Sequence, residues 1–319
     1  MRAYYKATAE APATVTQIDV PHPGPGQILL KIAACGLNFA DLLMLKGQYQ
    51  DTPALPFTLG MEVAGTVEAL GDGVTGPPVG TRVAVFGGQG GLADYGCFDA
   101  ERAVPLPDMM SMTDAAAFLI AYGTSHLALD HRARMQPGET LLVLGAAGGV
   151  GLTAVEVGKL MGATVIACAR GADKLAAARQ AGADHLIDAA TDDIRAVVKS
   201  LGGADVVYDP VGGDQWQAAF RACKPEARLL PIGFASGEVP QIPANHLLVK
   251  NLSVLGVYWG GYMKFRPKAV TDSLRVLMGW YAEGRIKPHV SHILPLEQVD
   301  AGLELLRSRA STGKVVIKL

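Results

Sequence analysis

An apolar run that ends in a cluster of glycines is the feature that most constrains the fold of this chain. Residues 141–144 read Leu-Leu-Val-Leu, and residues 145–151 read Gly-Ala-Ala-Gly-Gly-Val-Gly. Such a run is typical of a buried strand that breaks at a tight turn. The apolar positions after the turn are spaced by four, three and four residues, as on one helix face: Val150, Ala154, Val157 and Met161. The segment therefore predicts a strand, a glycine turn and a helix in direct succession.

This context gives the glycines a functional meaning. Glycines let the backbone turn tightly and approach a pyrophosphate, while a helix N-terminus offers free N–H groups and a partial positive charge. A second strand at residues 164–168 completes a βαβ unit of about 30 residues. We therefore predict a nucleotide-binding turn. The alternative is a tight turn in an ordinary α/β sheet.

Length and composition set the class of protein. The 319 residues, 50% hydrophobic and 18% charged, predict a compact globular chain of about two domains. A formal net charge of −2 gives no electrostatic reason to expect nucleic acid or an anionic membrane as a partner. No apolar run approaches the roughly 20 residues that span a bilayer, and the first residues lack the apolar core of a signal peptide. A cytoplasmic protein is expected.

The potential metal ligands are scattered. Four single cysteines form no CxxC pair, which argues against a zinc site or a disulfide framework: Cys35, Cys97, Cys168 and Cys223. His289 and His292 have no acidic or cysteine neighbour nearby in the sequence. We predict no metal site.

Two kinds of organisation follow one another along the chain. Up to about residue 120, strands at 27–33, 63–70 and 81–86 are separated by proline- and glycine-rich turns, which predicts a compact, barrel-like β domain. Helices are then expected at 113–118 and 123–133. Six strands alternating with helices follow, the number in a full dinucleotide-binding sheet: 140–145, 164–168, 185–187, 206–208, 228–232 and 252–257.

The C-terminal part ends in a strand that the six-stranded sheet does not need. A helix at 269–283 precedes the terminal strand 313–319, which we expect to fold back onto the first domain. The predicted division is therefore a β-rich domain of residues 1–122 and 266–319, with a nucleotide-binding domain of residues 123–265 inserted.

Several motifs together carry a resemblance to a known family. They are Gly36-Leu37-Asn38-Phe39-Ala40-Asp41 with Gly47-Gln48-Tyr49, then Leu59-Gly60-Met61-Glu62-Val63-Ala64-Gly65, Ala147-Gly148-Gly149-Val150-Gly151, Ile232-Gly233-Phe234-Ala235-Ser236-Gly237 and Gly313-Lys314-Val315-Val316. Over its full length the chain resembles the zinc-free medium-chain dehydrogenases/reductases of the NADPH:quinone oxidoreductase branch, the group that contains zeta-crystallin. The resemblance implies a GroES-like β-rich catalytic domain and a Rossmann domain with a six-stranded parallel sheet.

The departures from zinc-dependent alcohol dehydrogenases bear on the chemistry. Near the position where those enzymes place a ligand cysteine the chain has Asn38, and Met61 stands before Glu62 where they place a histidine. An amide and a thioether are poor zinc ligands, and the four-cysteine lobe of those enzymes is missing. The resemblance thus implies metal-independent hydride transfer from NADPH to an electron-poor acceptor, either a quinone or an α,β-unsaturated carbonyl.

The residues after the second strand concern the choice of cofactor. NAD enzymes commonly place an acidic residue there, whereas this chain has Arg170 and, four residues later, Lys174. Two cations suit a 2′-phosphate, so we expect NADPH rather than NADH. The alternative is that both belong to a solvated helix start. Ala189 stands where many relatives carry a tyrosine, which weakens the expectation.

The resemblance also implies a set of site residues. The pyrophosphate would be held by Ala147, Gly148, Gly149 and Val150, and the nicotinamide-side groove would be lined by Gly233, Phe234, Ala235, Ser236, Val257, Tyr258 and Trp259. Thr124 would lie beside the nicotinamide, and Arg309 would reach the cofactor. Phe234 and Tyr258 could instead be core aromatics, and Arg309 a surface residue.

Asn38 and Tyr49 are the expected catalytic residues of the first domain. The resemblance implies that both lie near the nicotinamide and the substrate. Tyr49 could donate a hydrogen bond to the acceptor oxygen as charge develops there. The alternative is a half-buried tyrosine whose hydroxyl is satisfied by the backbone.

Other functions stay open at this point. An enoyl-thioester reductase of the same family is one. An NADPH-binding structural, crystallin-like protein or an RNA-binding protein without turnover is another, and a zinc alcohol dehydrogenase is a third. A homodimer is expected, because the predicted strand at 252–257 would form an apolar sheet edge that a twofold partner could cover.

Overall fold

A computed structural model describes all residues from Met1 to Leu319. Its strands are β1 (Arg2–Lys6), β2 (Thr14–Gln17), β3 (Gln27–Leu37), β4 (Phe57–Thr58), β5 (Glu62–Leu70), β6 (Arg82–Phe86), β7 (Tyr95–Asp99), β8 (Ala103–Pro105), β9 (Thr140–Leu144), β10 (Thr164–Ala169), β11 (His185–Asp188), β12 (Ala204–Asp209), β13 (Cys223–Pro231), β14 (Ser253–Val254), β15 (Val290–Pro295) and β16 (Lys314–Lys318).

Its helices are α1 (Phe39–Leu45), α2 (Met112–Ala116), α3 (Leu119–His126), α4 (Gly149–Leu160), α5 (Ala172–Gln180), α6 (Ile194–Ser200), α7 (Gly213–Ala222), α8 (Ala244–Lys250), α9 (Trp259–Phe265), α10 (Pro267–Ala282) and α11 (Val299–Arg307). A π-helical turn, Leu127–Arg132, continues α3. No helix is both long enough and apolar enough to cross a membrane.

The chain forms two compact units. The first unit contains Met1–Ile120 and Pro288–Leu319, and the second contains Ala121–Lys287. The C-terminal segment of the first unit thus begins at Pro288 rather than at the expected residue 266. The reason lies in α10, which packs against the residues at and after the end of α3. His126 Nδ1 lies 2.9 Å from Ser273 Oγ, and the His126 and Trp280 rings meet edge to face.

The second unit is built on the predicted six-stranded parallel sheet. Its strand order is β11-β10-β9-β12-β13-β14, and every neighbouring pair is parallel. The order reverses between β9 and β12, so a crevice opens at the carboxyl ends of these two strands. Both strands are almost entirely buried, as expected of a sheet covered by helices on its two faces.

The first unit is built on antiparallel pairing around β3. A seven-stranded sheet runs β15-β16-β3-β5-β6-β8, with β7 also paired to β3, and a three-stranded sheet runs β2-β1-β4. The terminal strand β16 pairs antiparallel with β3, which confirms that the chain end folds back onto the first unit. An apolar core fills this unit, with Leu30 and Val85 among its fully buried residues.

Several predicted elements differ from the structure, and two strands are longer than the expected 27–33 and 228–232, since β3 continues to Leu37 and β13 begins at Cys223. The strand expected at 252–257 shrinks to Ser253–Val254, and the carbonyl of Gly256 accepts a hydrogen bond from the Arg132 guanidinium instead of a strand partner. The helix expected at 113–118 begins earlier, because the Ser111 hydroxyl caps it by accepting from the Asp114 N–H. The single helix expected at 123–133 is α3 followed by the π-helical turn.

Candidate functional site

The glycine turn joins β9 to α4 at the strand-order reversal. Gly148 is the N-cap residue of α4, so the N–H groups of Gly149, Val150 and Gly151 belong to the first helical turn and have no acceptor within the helix. A Cβ on Gly151 would collide with the Gly145 carbonyl oxygen. Only glycine therefore lets the helix begin this close to the turn, and the helix presents N–H groups and the positive end of its dipole there.

A network of buried hydroxyl groups forms hydrogen bonds at the first turn of α4. The Thr153 hydroxyl donates to the carbonyl of Ala121 at 3.1 Å or to that of Val150 at the same distance. Ser125 Oγ lies 2.8 Å from Thr153 Oγ1 and 3.1 Å from the hydroxyl oxygen of Tyr208 on β12. Burial raises the pKa of Tyr208, so its hydroxyl keeps its proton and stays available as a donor.

The segment 233–236 lies beside the carboxyl end of β12. The N–H groups of Ala235 and Ser236 donate to the carbonyls of Pro210 and Val211, at 3.0 and 2.9 Å. Phe234 is 42% exposed, which argues against the alternative that it is a core aromatic. The structure thus brings the predicted groove residues Gly233, Phe234, Ala235 and Ser236 to the same sheet edge as the glycine turn.

The other groove residues lie at the start of α9. Tyr258 is the N-cap residue of this helix and Trp259 its first residue. A Cβ on Gly123 would lie 2.7 Å from the Trp259 indole nitrogen, so the indole packs directly on the backbone next to Thr124. Thr124 and Trp259 are both buried, whereas Val257 and Tyr258 are half-buried. Trp259 therefore lies next to the backbone that carries Thr124.

The basic residues occupy the expected place after β10. Arg170 is exposed directly beyond the strand, and Lys174 is half-buried in the first turn of α5. Sequence reasoning missed Asp188, which ends β11 opposite Ala169. Its Oδ1 accepts from the N–H groups of Ala190 and Gly171, at 2.9 and 3.1 Å, and these bonds lower the pKa of the carboxyl. This carboxylate is thus tied to the backbone of the loop that carries Arg170.

The first unit holds a buried ion pair at its centre. Lys314 Nζ donates to Glu62 Oε1 at 2.6 Å, to Asn38 Oδ1 at 2.7 Å and to the Leu37 carbonyl at 2.9 Å. Glu62 Oε1 also accepts from Asn38 Nδ2 at 3.0 Å, and Glu62 Oε2 accepts from the Ile120 N–H at 3.0 Å. Lys314 and Glu62 are 4% and 0% exposed. We call Asn38, Glu62 and Lys314 the buried ion-pair cluster.

Asp41 lies next to this cluster and is fully buried. Its Oδ2 accepts from the Asn38 N–H at 2.8 Å, whereas its Oδ1 has no hydrogen-bond partner. Burial raises the pKa of this carboxyl to about 7, although the hydrogen bond from Asn38 opposes the shift. Asp41 thus caps the start of α1, because its carboxylate accepts from the backbone N–H of the N-cap residue Asn38.

Three predicted residues of the first unit remain, namely Tyr49, Arg309 and Asn38. Tyr49 follows α1, is half-buried and packs against the apolar core of the first unit. Arg309 is exposed after α11 and has a backbone φ of 57°, in the left-handed region that closes a helix end. The side chain of Asn38 already has both its polar atoms engaged within the buried ion-pair cluster.

The residues at the position of a catalytic zinc do not fit that metal. An Asn38 amide and a buried Met61 thioether stand where a thiolate and an imidazole would be needed. The Glu62 carboxylate, next to Met61, already binds the Lys314 ammonium, which would repel a second cation. No group of three or more His, Cys, Asp or Glu side chains is placed to hold a metal ion.

Two family models match separate parts of the chain. The Alcohol dehydrogenase GroES-like domain model matches residues 24–108, and the Zinc-binding dehydrogenase model matches residues 149–274. The chain is 40% identical over 300 residues to Quinone oxidoreductase-like protein 2 homolog of Nematostella vectensis, which covers 92% of this chain and 82% of the relative. The chain belongs to the quinone oxidoreductase branch of the medium-chain dehydrogenases/reductases.

Two further members of this quinone oxidoreductase branch match over the full length of the chain. Quinone oxidoreductase-like protein 2 of Bos taurus is 37% identical over 322 residues, covering 100% of this chain and 92% of the relative. The quinone oxidoreductase of Thermus thermophilus, described with its NADPH complex, superposes with a TM-score of 0.90 at 33% identity and covers 100% of both chains. The GroES-like and Rossmann-type fold that the resemblance implied is thereby confirmed.

Proposed function

We propose that this protein is an NADPH-dependent, metal-independent reductase of quinones or of α,β-unsaturated carbonyl compounds. The observation that carries the proposal is the glycine turn at the strand-order reversal. There, a helix N-terminus approaches the turn as closely as only Gly151 permits. A solved relative of 33% identity was studied as its complex with NADPH, which supports the same cofactor here.

The residues of the second unit fit NADPH. The first-turn N–H groups of α4 would bind the pyrophosphate, and the exposed Arg170 with Lys174 would bind the 2′-phosphate. Thr124, the segment 233–236 and the residues from Val257 to Trp259 would line the nicotinamide side. When bound, NADPH supplies a hydride, and a proton from water completes the reduction of the acceptor to a hydroquinone or a saturated carbonyl compound.

The first unit would contribute the polar groups around the acceptor. Tyr49 would donate a hydrogen bond to the acceptor oxygen while negative charge grows on it. The buried ion-pair cluster replaces the donor set that a zinc ion needs, so activation of the acceptor would depend on its own electron-poor character. Leu43 and Leu45 give the region around α1 an apolar character that suits a quinone ring.

An acceptor panel tests the proposal directly. Purified protein is mixed with NADPH and with a quinone, an enone, an enoyl thioester or a simple aldehyde, and the loss of reduced-nicotinamide absorbance is followed. We expect turnover with the quinone or the enone. Turnover confined to the thioester would favour the enoyl-thioester reductase. Tight NADPH binding without turnover of any acceptor would contradict an enzymatic role.

The choice of cofactor has its own test. Replacing the charged group that would meet the 2′-phosphate, in Arg170→Ala, should weaken NADPH binding about tenfold and leave NADH binding unchanged. Arg195→Ala on α6 is the matched control, because Arg195 is also an exposed arginine of the same unit. Equal losses for NADPH and NADH in Arg170→Ala would contradict 2′-phosphate recognition by this residue.

We further propose a homodimer in the cytoplasm. The edge strand β14 has an open side, and the preceding helix α8 exposes Leu248 and Val249, at 77% and 76%. Four free cysteines suit a reducing compartment. Sedimentation of the wild-type chain and of Leu248→Glu tests the dimer, which should dissociate in the variant.

A further inference from the structure

A buried carboxylate ends β12 at the strand-order reversal, and no role has been assigned to it so far. Asp209 is 1% exposed. Its Oδ1 accepts from the N–H of Val211 at 2.6 Å and from the N–H of Gly212 at 3.0 Å, and its Oδ2 accepts from Gly212 at 3.1 Å. All of the carboxylate's hydrogen bonds thus go to the loop 210–212 between β12 and α7.

This loop lies between the two segments proposed to hold the cofactor. On one side, the Val211 side chain packs against the backbone of the glycine turn. A Cβ built on Gly145 would lie only 2.8 Å from Val211 Cγ2. On the other side, the carbonyls of Pro210 and Val211 accept the N–H groups of segment 233–236. A shift of the loop would therefore move both segments relative to each other.

Pro210 fixes its own φ, but the two glycines that follow leave the shape of the loop open. Gly212 and Gly213 have backbone φ values of 75° and 58°, a region that glycine enters without steric penalty and leaves as easily. A Cβ on Gly212 would lie 2.6 Å from the Glu238 carbonyl oxygen, so no larger residue could stiffen the loop there. The loop is held by the hydrogen bonds from the N–H groups of Val211 and Gly212 to the Asp209 carboxylate, together with those from segment 233–236 to its carbonyls.

We infer that Asp209 is a positioning residue for NADPH. Its carboxylate fixes the loop 210–212, and this loop sets the spacing between the glycine turn and the segment 233–236. The inference rests on the proposed function, because it concerns the crevice in which that cofactor would bind. The residue itself acts through the backbone and need not touch the ligand.

The test compares two ligands on full-length variants. Asp209→Ala leaves two loop N–H groups without their acceptor, so NADPH binding should weaken about tenfold. The fragment 2′,5′-ADP carries only the adenosine end and depends on the region after β10, so its Kd should stay within about twofold. Asp209→Asn should restore NADPH binding, since one amide oxygen can replace Oδ1 and accept from both N–H groups.

The matched control is Asp205→Ala on the same strand. The Asp205 carboxylate also accepts a backbone N–H, from Thr140 at 2.8 Å, and pairs with Lys224 at 2.7 Å, but it lies at the amino end of β12. Its loss should reduce thermal stability and leave the Kd for NADPH unchanged. A pattern in Asp205→Ala that matches Asp209→Ala would overturn the inference.

The remaining outcomes separate this inference from the proposed function. If the wild-type protein binds no NADPH, the proposed function itself fails. If the wild type binds NADPH and Asp209→Ala binds it as tightly, or loses both ligands equally, only the inference fails. Should Asp209→Ala not fold by circular dichroism, Val211→Ala decides, because it trims the contact with the glycine turn and leaves the Asp209 hydrogen bonds in place. Val211→Ala should weaken NADPH binding and spare 2′,5′-ADP, and wild-type affinity for NADPH would overturn the inference.

Discussion

At the glycine turn of the second unit, the groups that would bind a ligand are backbone N–H groups of residues 149–151. In the buried ion-pair cluster of the first unit, the polar groups are side chains that bind one another. The glycine turn depends on the absence of side chains, because a Cβ on Gly151 would collide with the Gly145 carbonyl oxygen. The buried ion-pair cluster depends on all three of its side chains. The three hydrogen bonds of the Lys314 ammonium compensate the cost of burying its charge.

The difference teaches where each unit is vulnerable. A removed side chain should damage the cluster most, since it leaves a charge buried without its partner. An added side chain should damage the glycine turn most, since it separates the helix N-terminus from the turn. Two substitutions test this contrast directly and two test other groups of the first unit, and the four follow in order of decreasing expected effect.

Lys314→Met should cost the most stability. The Glu62 carboxylate would stay buried without its cation, which lowers the free energy of unfolding by about 3–5 kcal/mol. Urea denaturation of the variant measures the loss. Lys318→Met is the control on the same strand, because Lys318 is exposed and its replacement should change stability by about 0.5 kcal/mol or less. A loss below about 1 kcal/mol in Lys314→Met would mean that the cluster contributes little.

Asp41→Asn should change how stability depends on pH. The pKa of Asp41 is about 7 in the folded protein and 3.8 as a model value, so the folded state holds the proton more tightly. This group therefore contributes stability at pH 4 that is lost as the pH rises towards 7. Asparagine does not titrate, so the variant should gain stability relative to the wild type from pH 4 to pH 8, by on the order of 3 kcal/mol. Urea denaturation at pH 4 and pH 8 measures this change. If the difference in unfolding free energy between variant and wild type were the same at both pH values, the raised pKa of Asp41 would be contradicted.

Gly151→Ala should weaken NADPH binding with smaller damage to the fold. The new methyl group must push α4 away from the Gly145 carbonyl, at a cost of about 1–3 kcal/mol. Fluorescence titration should show at least about a tenfold higher Kd. Gly279→Ala on α10 is the control, since a Cβ there meets nothing and should stabilise the helix. Unchanged NADPH affinity in Gly151→Ala would exclude close approach at this turn.

Tyr49→Phe should have the smallest effect. Loss of one neutral hydrogen bond to the acceptor oxygen should lower kcat/KM for the acceptor by about tenfold. Tyr95→Phe, which changes another half-buried tyrosine of the same unit, should leave kcat/KM for the acceptor unchanged. Identical kinetics of Tyr49→Phe and wild type would support the alternative that Tyr49 is structural.

The sequence predicted the local parts of the second unit well. The strand β9, the glycine turn, α4 and β10 follow one another directly, so their pattern carries the βαβ unit. The predicted length of β14 was too great, because an apolar run does not reveal where the backbone leaves the sheet. The number of strands in the sheet was nevertheless predicted correctly.

The side-chain chemistry of the first unit was largely hidden in the sequence. Lys314 and Glu62 are 252 positions apart, and no spacing rule brings them together. Asn38 was predicted as a catalytic residue, but its amide is engaged with both of them. Asp209 was also overlooked, although the Asp-Pro-Val-Gly-Gly that begins with it is a strong turn signal. That signal marks a loop, whereas the hydrogen bonds of the carboxylate appear only in the folded chain.

The central claim is that a backbone-built NADPH site and a metal-independent first unit together reduce an activated acceptor. The most direct measurement is the initial rate of NADPH oxidation by a quinone, before and after exhaustive treatment with a strong chelator, with bound metal quantified in both samples. The account predicts the same rate in both samples. A rate that disappears on chelation and returns with stoichiometric zinc would contradict it.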